Sequence, residues 1–162
     1  MTKRMTIAGL ALAGLFVALY LTLYKMGVIG EIACSIGSCE TVQLSRWATL
    51  GGLPVAAWGI GFYALTLALA FAGTLDRHAD SPRISLLLVL LTGWGVIFST
   101  WLTWLELFVI DAICTWCVVS AVIVVALFVV ALLDWRETKA LGADAPSADD
   151  GSRDIEAGAD PA

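Results

Sequence analysis

Charged side chains are scarce in this sequence: Asp, Glu, Lys and Arg make up 14% of its 162 residues, whereas soluble domains carry about 25%. Apolar residues make up 60% of the chain, and seven residues are tryptophan. Too few polar side chains are present to cover a water-exposed surface of ordinary composition. This composition excludes an ordinary soluble domain and indicates a chain that lies largely in a membrane.

An excess of positive charge is also lacking, because the formal net charge is -5. Residues 141–162 hold six acids against Arg153, and the rest of the chain has eight acids and eight bases. Those six acids are Asp144, Asp149, Asp150, Asp154, Glu156 and Asp160. A balanced charge gives no basic surface, so a nucleic-acid partner is not expected. From residue 140 the composition is Ala, Gly, Asp, Ser and Pro, which predicts a disordered cytoplasmic tail over 140–162.

Four long apolar stretches predict membrane spans, because about 20 apolar residues in a helix cross the roughly 30 Å hydrocarbon layer. They lie at about 6–24, 53–71, 84–105 and 112–133. The first is too long for the apolar part of a signal peptide and is expected to be retained, with cleavage as the alternative. Glu106 and Asp111 are the only charged residues between 84 and 133, and they indicate a reversal of the chain. The predicted fold is an all-α integral membrane protein, a four-helix bundle over residues 1–139.

The long polar connection, residues 25–52, joins the first span to the second and holds the first cysteine pair. Within it, Leu44, Trp47 and Ala48 recur at helical spacing and predict a short amphipathic helix at the membrane surface. The second connection contains His78, which is the only histidine. Because it lies among charged residues in a short polar turn, His78 is interpreted as a solvated surface residue without a catalytic role.

The basic residues that flank the spans are divided six to two between the two membrane faces. The larger group is Lys3, Arg4, Arg77, Arg83, Arg136 and Lys139, and the smaller group is Lys25 and Arg46. Basic residues favour the cytoplasmic side, so both termini are predicted to be cytoplasmic. The first loop and the turn at Glu106–Asp111 are then extracytoplasmic. All four cysteines lie on that oxidising side, where disulfides form and persist.

Cys114, Thr115, Trp116 and Cys117 form a C-x-x-C motif at the start of the fourth predicted span. Free N–H groups and the helix dipole at a helix start stabilise a thiolate, which is the species that attacks a disulfide. Asp111 adds a negative charge that opposes this effect, or else it caps the helix. The residues alone therefore leave the direction of the net pKa shift open.

Cys34 and Cys39 form a second pair in the long loop, able to react with the first pair by thiol–disulfide exchange. A loop pair can meet a protein thiol in water, whereas a pair at a helix end can meet an oxidant dissolved in the membrane. The favoured interpretation is a redox relay of two pairs. One alternative is a non-catalytic tetraspan scaffold with two structural disulfides. The other is a zinc site with four cysteine ligands, which the oxidising compartment disfavours, so no metal site is predicted.

The order of these features resembles the vitamin K epoxide reductase family, especially its bacterial members that reoxidise thioredoxin-like disulfide-forming proteins. The resemblance consists of the loop cysteine pair, Ser45-Arg46-Trp47 shortly after Cys39, Gly51-Gly52-Leu53-Pro54 at the start of the second span, and the C-x-x-C motif that opens the last span. It covers about residues 16–134.

This resemblance implies a membrane thiol:quinone oxidoreductase that supports disulfide bond formation. Cys117 is expected to lie nearest to the quinone with Cys114 as its partner, while Cys34 and Cys39 receive electrons from a thioredoxin-like (DsbA-like) protein. The electron acceptor is expected to be menaquinone or ubiquinone in the cytoplasmic membrane of a bacterium. Ser45 is expected to face the quinone and to donate a hydrogen bond to its carbonyl. The alternative for Ser45 is a helix cap or a loop hydrogen bond.

The sequence also departs from the family pattern. The quinone-contacting Asn of the animal members has no counterpart in residues 54–59, and their Tyr one turn after the C-x-x-C motif is replaced by Ala121. Vitamin K epoxide reduction is therefore not expected. Many bacterial members carry a fused thioredoxin-like domain where this chain has a polar tail, so a separate redox partner is expected. The other type of bacterial disulfide-forming quinone reductase has its C-x-x-C motif in the first loop, which reverses the order seen here.

Overall fold

The computed structural model of the protein describes residues 2–34, 37–74 and 82–143. Over those residues the chain forms five α-helices: α1 (Thr2–Lys25), α2 (Cys39–Leu44), α3 (Val55–Ala72), α4 (Pro82–Leu105) and α5 (Thr115–Ala143). Between α2 and α3 lie a 3₁₀ turn (Arg46–Ala48) and an antiparallel hairpin of two short strands, β1 (Thr49–Leu50) and β2 (Leu53–Pro54). A π-helical turn (Glu106–Ile110) continues α4.

Four of these helices are long and apolar enough to cross a membrane. Their spans are Lys3–Lys25, Val55–Ala72, Arg83–Ile110 and Thr115–Ala140. The predicted all-α, four-helix integral membrane fold is thereby confirmed. The last helix begins at Thr115, later than the predicted start at 112, and extends to Ala143. Residues 144–162, which hold most of the predicted tail, lie outside the described residues, as does His78.

The long helices form a bundle in which each packs against two neighbours, in the order α1, α3, α4, α5. Apolar side chains from all four meet in its interior, among them Ile7, Ala11, Ala18, Tyr63, Leu88 and Leu127. Close approach of α1 to α3 depends on Gly14, because a Cβ there would lie 2.2 Å from the ring of Tyr63. Small residues at helix contacts matter in a membrane because lipid provides no hydrophobic drive for helices to associate.

One end of the bundle is tied together by a buried polar network around Arg4, which is 4% exposed. The guanidinium of Arg4 lies 3.3 Å from the carboxylate of Asp134 and donates to the hydroxyl of Ser85 (3.1 Å). Arg4 also donates to the carbonyl of Gly73, and Ser85 donates to Asp134 (2.7 Å). These four residues come from α1, α5, α4 and the end of α3, so the network joins all four spans. The buried charges are tolerated because their hydrogen-bonding groups have partners.

The connection between α1 and α3 covers the opposite end of the bundle. Its hairpin turns at Gly51 and Gly52, whose φ angles of 63° and 84° suit a two-residue turn that favours glycine. Before the hairpin, α2 ends at Leu44 and Ser45 is extended with ψ 153°. The prediction of a single amphipathic helix from Leu44 to Ala48 is therefore wrong, because Ser45 divides the segment into α2 and the 3₁₀ turn.

The reversal between α4 and α5 lies slightly later than the two acids suggested. The chain stays helical through the π-helical turn, and Asp111 then adopts a left-handed conformation with φ 53°. The N–H of Ala112 donates to the carbonyl of Glu106 (3.1 Å), which closes the turn. Glu106 is 6% exposed and is therefore not a polar surface residue of the turn.

Candidate redox site

The first cysteine pair is a disulfide between Cys34 and Cys39, whose Cα atoms are 6.0 Å apart. Cys39 begins α2 and is 1% exposed. Cys34 lies in the preceding loop and is only half-buried. One sulfur of the pair is thus reachable from outside, and the other lies in the protein interior.

The second pair, Cys114 and Cys117, carries free thiols. Cys114 lies just before α5 and is fully buried, whereas Cys117 lies in the first turn of α5 and is half-buried. The two side chains are hydrogen-bonded to each other. Only a short movement therefore separates these thiols from a disulfide.

The loop that carries Cys39 is docked by its backbone onto the residues that precede α5. Gly37 and Cys114 form an antiparallel bridge, and the N–H of Ser38 donates to the carbonyl of Ile113 (3.0 Å). Gly37 has a φ of 90°, and a Cβ there would lie 2.1 Å from the carbonyl oxygen of Ile113, so the approach requires glycine. As a result, Cys39 and Cys114 belong to one buried cluster.

Trp116 provides a second attachment for the loop. Its indole N–H donates to the carbonyl of Ala33 (2.6 Å), and the N–H of Ala33 donates to the hydroxyl of Tyr20 (3.0 Å). The rings of Tyr20 and Trp116 are 5.2 Å apart, so α1 supports the same contact. Beside it, the sulfur of Cys34 lies 3.8 Å from the hydroxyl of Thr115. Both loop cysteines therefore lie against the C-x-x-C motif.

Cys114 lies between the third and fourth spans, and its thiol is unusually acidic. A hydrogen bond from the thiol of Cys117, helped by backbone N–H groups at the start of α5, lowers the pKa of Cys114 to about 7. Burial and the negative charge of Glu106 act in the opposite direction. The direction that the sequence left open is thus downward, and the acid that opposes it is Glu106 rather than Asp111.

Glu106 is a site residue that sequence reasoning missed, since the acid was interpreted only as the marker of a turn. Its carboxylate accepts the backbone N–H of Cys114 (3.1 Å) and is hydrogen-bonded with the thiol of Cys117. An acid inside an otherwise apolar span is costly and commonly functional. The position of Glu106 in an otherwise apolar stretch of the sequence was the signal that could have identified it as a site residue.

A cavity of about 680 Å³ lies beside Cys117. The four long helices and the segment from α2 to β2 line it, largely with apolar and aromatic side chains. Its polar lining includes Gln43, Ser45, Tyr63, Glu106 and Ser120. Tyr63 and Ser120 are hydrogen-bonded to each other through their hydroxyls (2.8 Å). Size, apolar walls and a few polar groups fit a ring with two carbonyls and an apolar tail, such as a lipid quinone.

Ser45 lies at the wall of this cavity, but its hydroxyl donates to the carbonyl of Val42 (2.7 Å). This is the loop hydrogen bond that the sequence offered as the alternative. A hydroxyl has one proton to donate, so Ser45 presents only an acceptor to the cavity in this geometry. Donation from Ser45 to a quinone stays a prediction, and it requires the hydroxyl to rotate.

The described residues contain no group of three or more His, Cys, Asp or Glu side chains placed to hold a metal ion. Cys34 and Cys39 are joined in a disulfide and so have no thiolate to offer a metal. The geometry gives the zinc alternative no support.

Two cysteine pairs in contact at one end of a membrane bundle are suited to pass electrons by thiol–disulfide exchange, which defines the class as membrane thiol oxidoreductases. The model of the vitamin K epoxide reductase family matches residues 5–132. The chain belongs to this family, and the resemblance inferred from its motifs is confirmed. No curated protein matches the chain.

Proposed function

We propose that this protein is a membrane thiol:quinone oxidoreductase that reoxidises a thioredoxin-like (DsbA-like) protein and so supports disulfide bond formation. Two electrons enter at Cys34 and Cys39, pass to Cys114 and Cys117, and leave to menaquinone or ubiquinone. The observation that carries the proposal is the docking of the loop pair onto the C-x-x-C pair, with Cys117 at the wall of an apolar cavity.

The first exchange begins at Cys34, because Cys34 is half-buried whereas Cys39 is 1% exposed. A thiolate of the partner protein attacks the sulfur of Cys34, the Cys34–Cys39 bond breaks, and Cys39 leaves as a thiolate. The second thiol of the partner then displaces Cys34. The partner departs with a disulfide, and the loop pair is left reduced.

The second exchange joins the two pairs. Cys39 attacks an oxidised Cys114–Cys117 disulfide at Cys114, its neighbour in the buried cluster, and Cys117 leaves. Cys34 then attacks Cys39, which restores the loop disulfide and releases Cys114. The low pKa of Cys114 favours this release, because a more acidic thiol is a better leaving group. The resulting distribution, a loop disulfide with thiols at Cys114 and Cys117, is the one observed in the structure.

The cavity provides for the last transfer. A bound quinone supplies an acceptor for two electrons and two protons. Cys114 and Cys117 release two electrons and two protons as they form their disulfide again. Ser45, Tyr63 and Ser120 line the cavity, and rotation of their hydroxyls away from Val42 and from each other would let them donate to the ring oxygens, while the apolar walls hold the ring.

We further propose that the cysteines face the extracytoplasmic side of a bacterial cytoplasmic membrane and that both termini are cytoplasmic. Lys3, Arg4 and Arg136 lie at the end of the bundle opposite the cysteines, in agreement with the positive-inside rule. A loop disulfide also persists best on the oxidising side of the membrane.

The experiment is an anaerobic single turnover in detergent. The fully reduced protein, freed of reductant, is mixed with a short-chain ubiquinone while quinol absorbance and free thiols are followed. Wild-type protein should form about one quinol per disulfide, and Cys117→Ala should form none.

Cys39→Ala is the matched control. It should still form quinol from Cys114 and Cys117, but it should not accept electrons from a reduced thioredoxin-like protein. Wild-type thiols that persist, with no quinol formed, would contradict the proposal and favour the non-catalytic scaffold with two structural disulfides.

A further inference from the structure

Glu106 links the C-x-x-C pair to the cavity, and none of the exchanges above uses it. Its side chain is 6% exposed, accepts the N–H of Cys114 (3.1 Å) and is hydrogen-bonded with the thiol of Cys117. The same residue lines the cavity together with Cys117. A carboxylate therefore lies beside both the sulfur that gives up electrons and the space where an acceptor fits.

We propose that Glu106 is the proton carrier of the quinone step, an inference that rests on the proposed function. It accepts the proton of the Cys117 thiol and delivers it to an oxygen of the quinone in the cavity. Among the described residues that line the cavity, Glu106 is the only one with a carboxylate. The hydroxyls of Tyr63 and Ser120 are bonded to each other and are weak bases by comparison.

The step is balanced in atoms and electrons. The Cys114–Cys117 bond forms, and the electron pair goes to the quinone. One proton passes from Cys117 through Glu106 to one quinone oxygen. The proton of Cys114 is lost separately to water, and the second quinone oxygen takes one proton from water. Two thiols and one quinone give one disulfide and one quinol.

A purely electrostatic role for Glu106 predicts the opposite effect of a neutral substitution. Its negative charge works against thiolate formation at Cys114. Removing that charge should make the thiolate easier to form and the oxidation faster, whereas loss of a proton carrier should make the oxidation slower. The sign of the change thus separates the two roles.

Few titratable groups contribute to the pH dependence at this position. Cys114 and Cys117 interact with Glu106 directly. α2 also packs against the π-helical turn; its Glu40 is exposed, and its Cys39, which is in a disulfide in the structure, is a further thiol in the pre-reduced protein. Tyr63 shares the cavity and stays neutral over the range in which thiols titrate.

The experiment compares wild type with Glu106→Gln, which keeps an oxygen for the N–H of Cys114 but cannot carry the proton. Glu31→Gln is the matched control, because it removes an exposed acid from the first loop. Pre-reduced protein is mixed with a short-chain ubiquinone across a range of pH. Quinone binding is measured separately by quenching of tryptophan fluorescence, and the Cys114 thiolate by its ultraviolet absorbance without quinone.

Glu106→Gln should slow quinol formation about 100-fold at neutral pH, the usual contribution of a positioned acid–base group. The difference in rate between Glu106→Gln and wild type should become smaller as the pH rises, because hydroxide then removes the thiol proton. Quinone binding should be unchanged, and the Cys114 thiolate should form at lower pH than in wild type. Glu31→Gln should behave as wild type.

A Glu106→Gln protein that forms quinol as fast as wild type would overturn the inference alone, and so would an equal slowing at every pH. A wild type that forms no quinol would overturn the proposed function as well. If Glu106→Gln no longer binds quinone, Glu106→Asp is used for the test instead, because Asp keeps the carboxylate on a side chain that is one methylene shorter. Its rate should be reduced while its pH profile keeps the wild-type shape, and a profile that instead rises continuously with pH would contradict the inference.

Discussion

Replacement of Gly37 by alanine tests whether the observed docking of the loop is the geometry used for electron transfer. Gly37 has a φ of 90°, and an added Cβ would lie 2.1 Å from the backbone oxygen of Ile113. The loop can relieve this contact only by moving away from Cys114. The hydrogen bond from Ser38 to Ile113 (3.0 Å) would then be lost.

The size of the effect follows from two contributions. A non-glycine residue held at such a φ costs about 1–3 kcal/mol, and loss of one hydrogen bond adds about 1 kcal/mol. The docked state is therefore destabilised by about 2–4 kcal/mol, which is a factor of about 30 to 1,000 in its population. Because transfer from Cys39 to Cys114 requires the docked loop, its rate should fall by a similar factor.

The assay follows electrons from a reduced thioredoxin-like protein to a short-chain ubiquinone, and separately from pre-reduced Cys114 and Cys117 to the same quinone. Gly37→Ala should slow only the transfer that starts from the thioredoxin-like protein. Gly30→Ala is a control in the same loop, with open space around the added Cβ. Gly27→Ala is a control for the backbone conformation alone, because Gly27 has a φ of 74° and no atom lies within 4 Å of the added Cβ. A Gly37→Ala protein that transfers electrons from the partner as fast as these controls would refute the reasoning.

Three further predictions concern other parts of the molecule. Asp134→Asn should lower the free energy of unfolding by about 3 kcal/mol, because it removes the negative charge beside the buried Arg4. Glu137 is exposed, so Glu137→Gln should change the free energy of unfolding by less than about 0.5 kcal/mol. Thermal unfolding in detergent measures both changes. Thiolate absorbance of the reduced protein, compared with Cys114→Ala, should rise through pH 7, because the pKa of Cys114 is lowered to about 7. Trp116→Phe should slow partner-dependent transfer about tenfold through loss of one hydrogen bond to the loop, while quinol formation from the pre-reduced pair stays unchanged.

The four spans were predictable because length and hydropathy alone decide whether a helix can cross a membrane. The position of the last reversal was not, since both charged residues indicated a reversal and only one of them lies in it. Asp111 does lie in the turn, with φ 53°. Glu106 instead remains in a helical turn and is buried, because the N–H of Cys114 and the thiol of Cys117 satisfy its carboxylate. A single sequence gives the charge of such a residue but not its partners.

The spacing of the cysteines in the sequence predicted two pairs, but it did not predict how the pairs are arranged relative to each other. Cys39 meets Cys114 through backbone contacts at Gly37 and through a hydrogen bond from Trp116 to Ala33. Neither contact follows from periodicity, since the partners lie far apart in the sequence and one of them is a bare backbone group. The cavity beside Cys117 is likewise a product of packing among four helices and a loop.

Cys117 takes part in the exchange with the loop pair and in the quinone step, and its proton matters in both because its sulfur lies beside the apolar cavity. When Cys39 attacks Cys114, Cys117 is the leaving group, and a thiolate released beside an apolar cavity is destabilised unless a neighbour donates a hydrogen bond or a proton to it. Glu106, once it has taken up a proton from water, is placed to make that donation, and the carboxylate that results is the acceptor needed when Cys117 is oxidised. Glu106→Gln should therefore slow the transfer from the loop pair as well as the formation of quinol. A variant that lost only the quinone step would show that another group protonates Cys117 as it leaves.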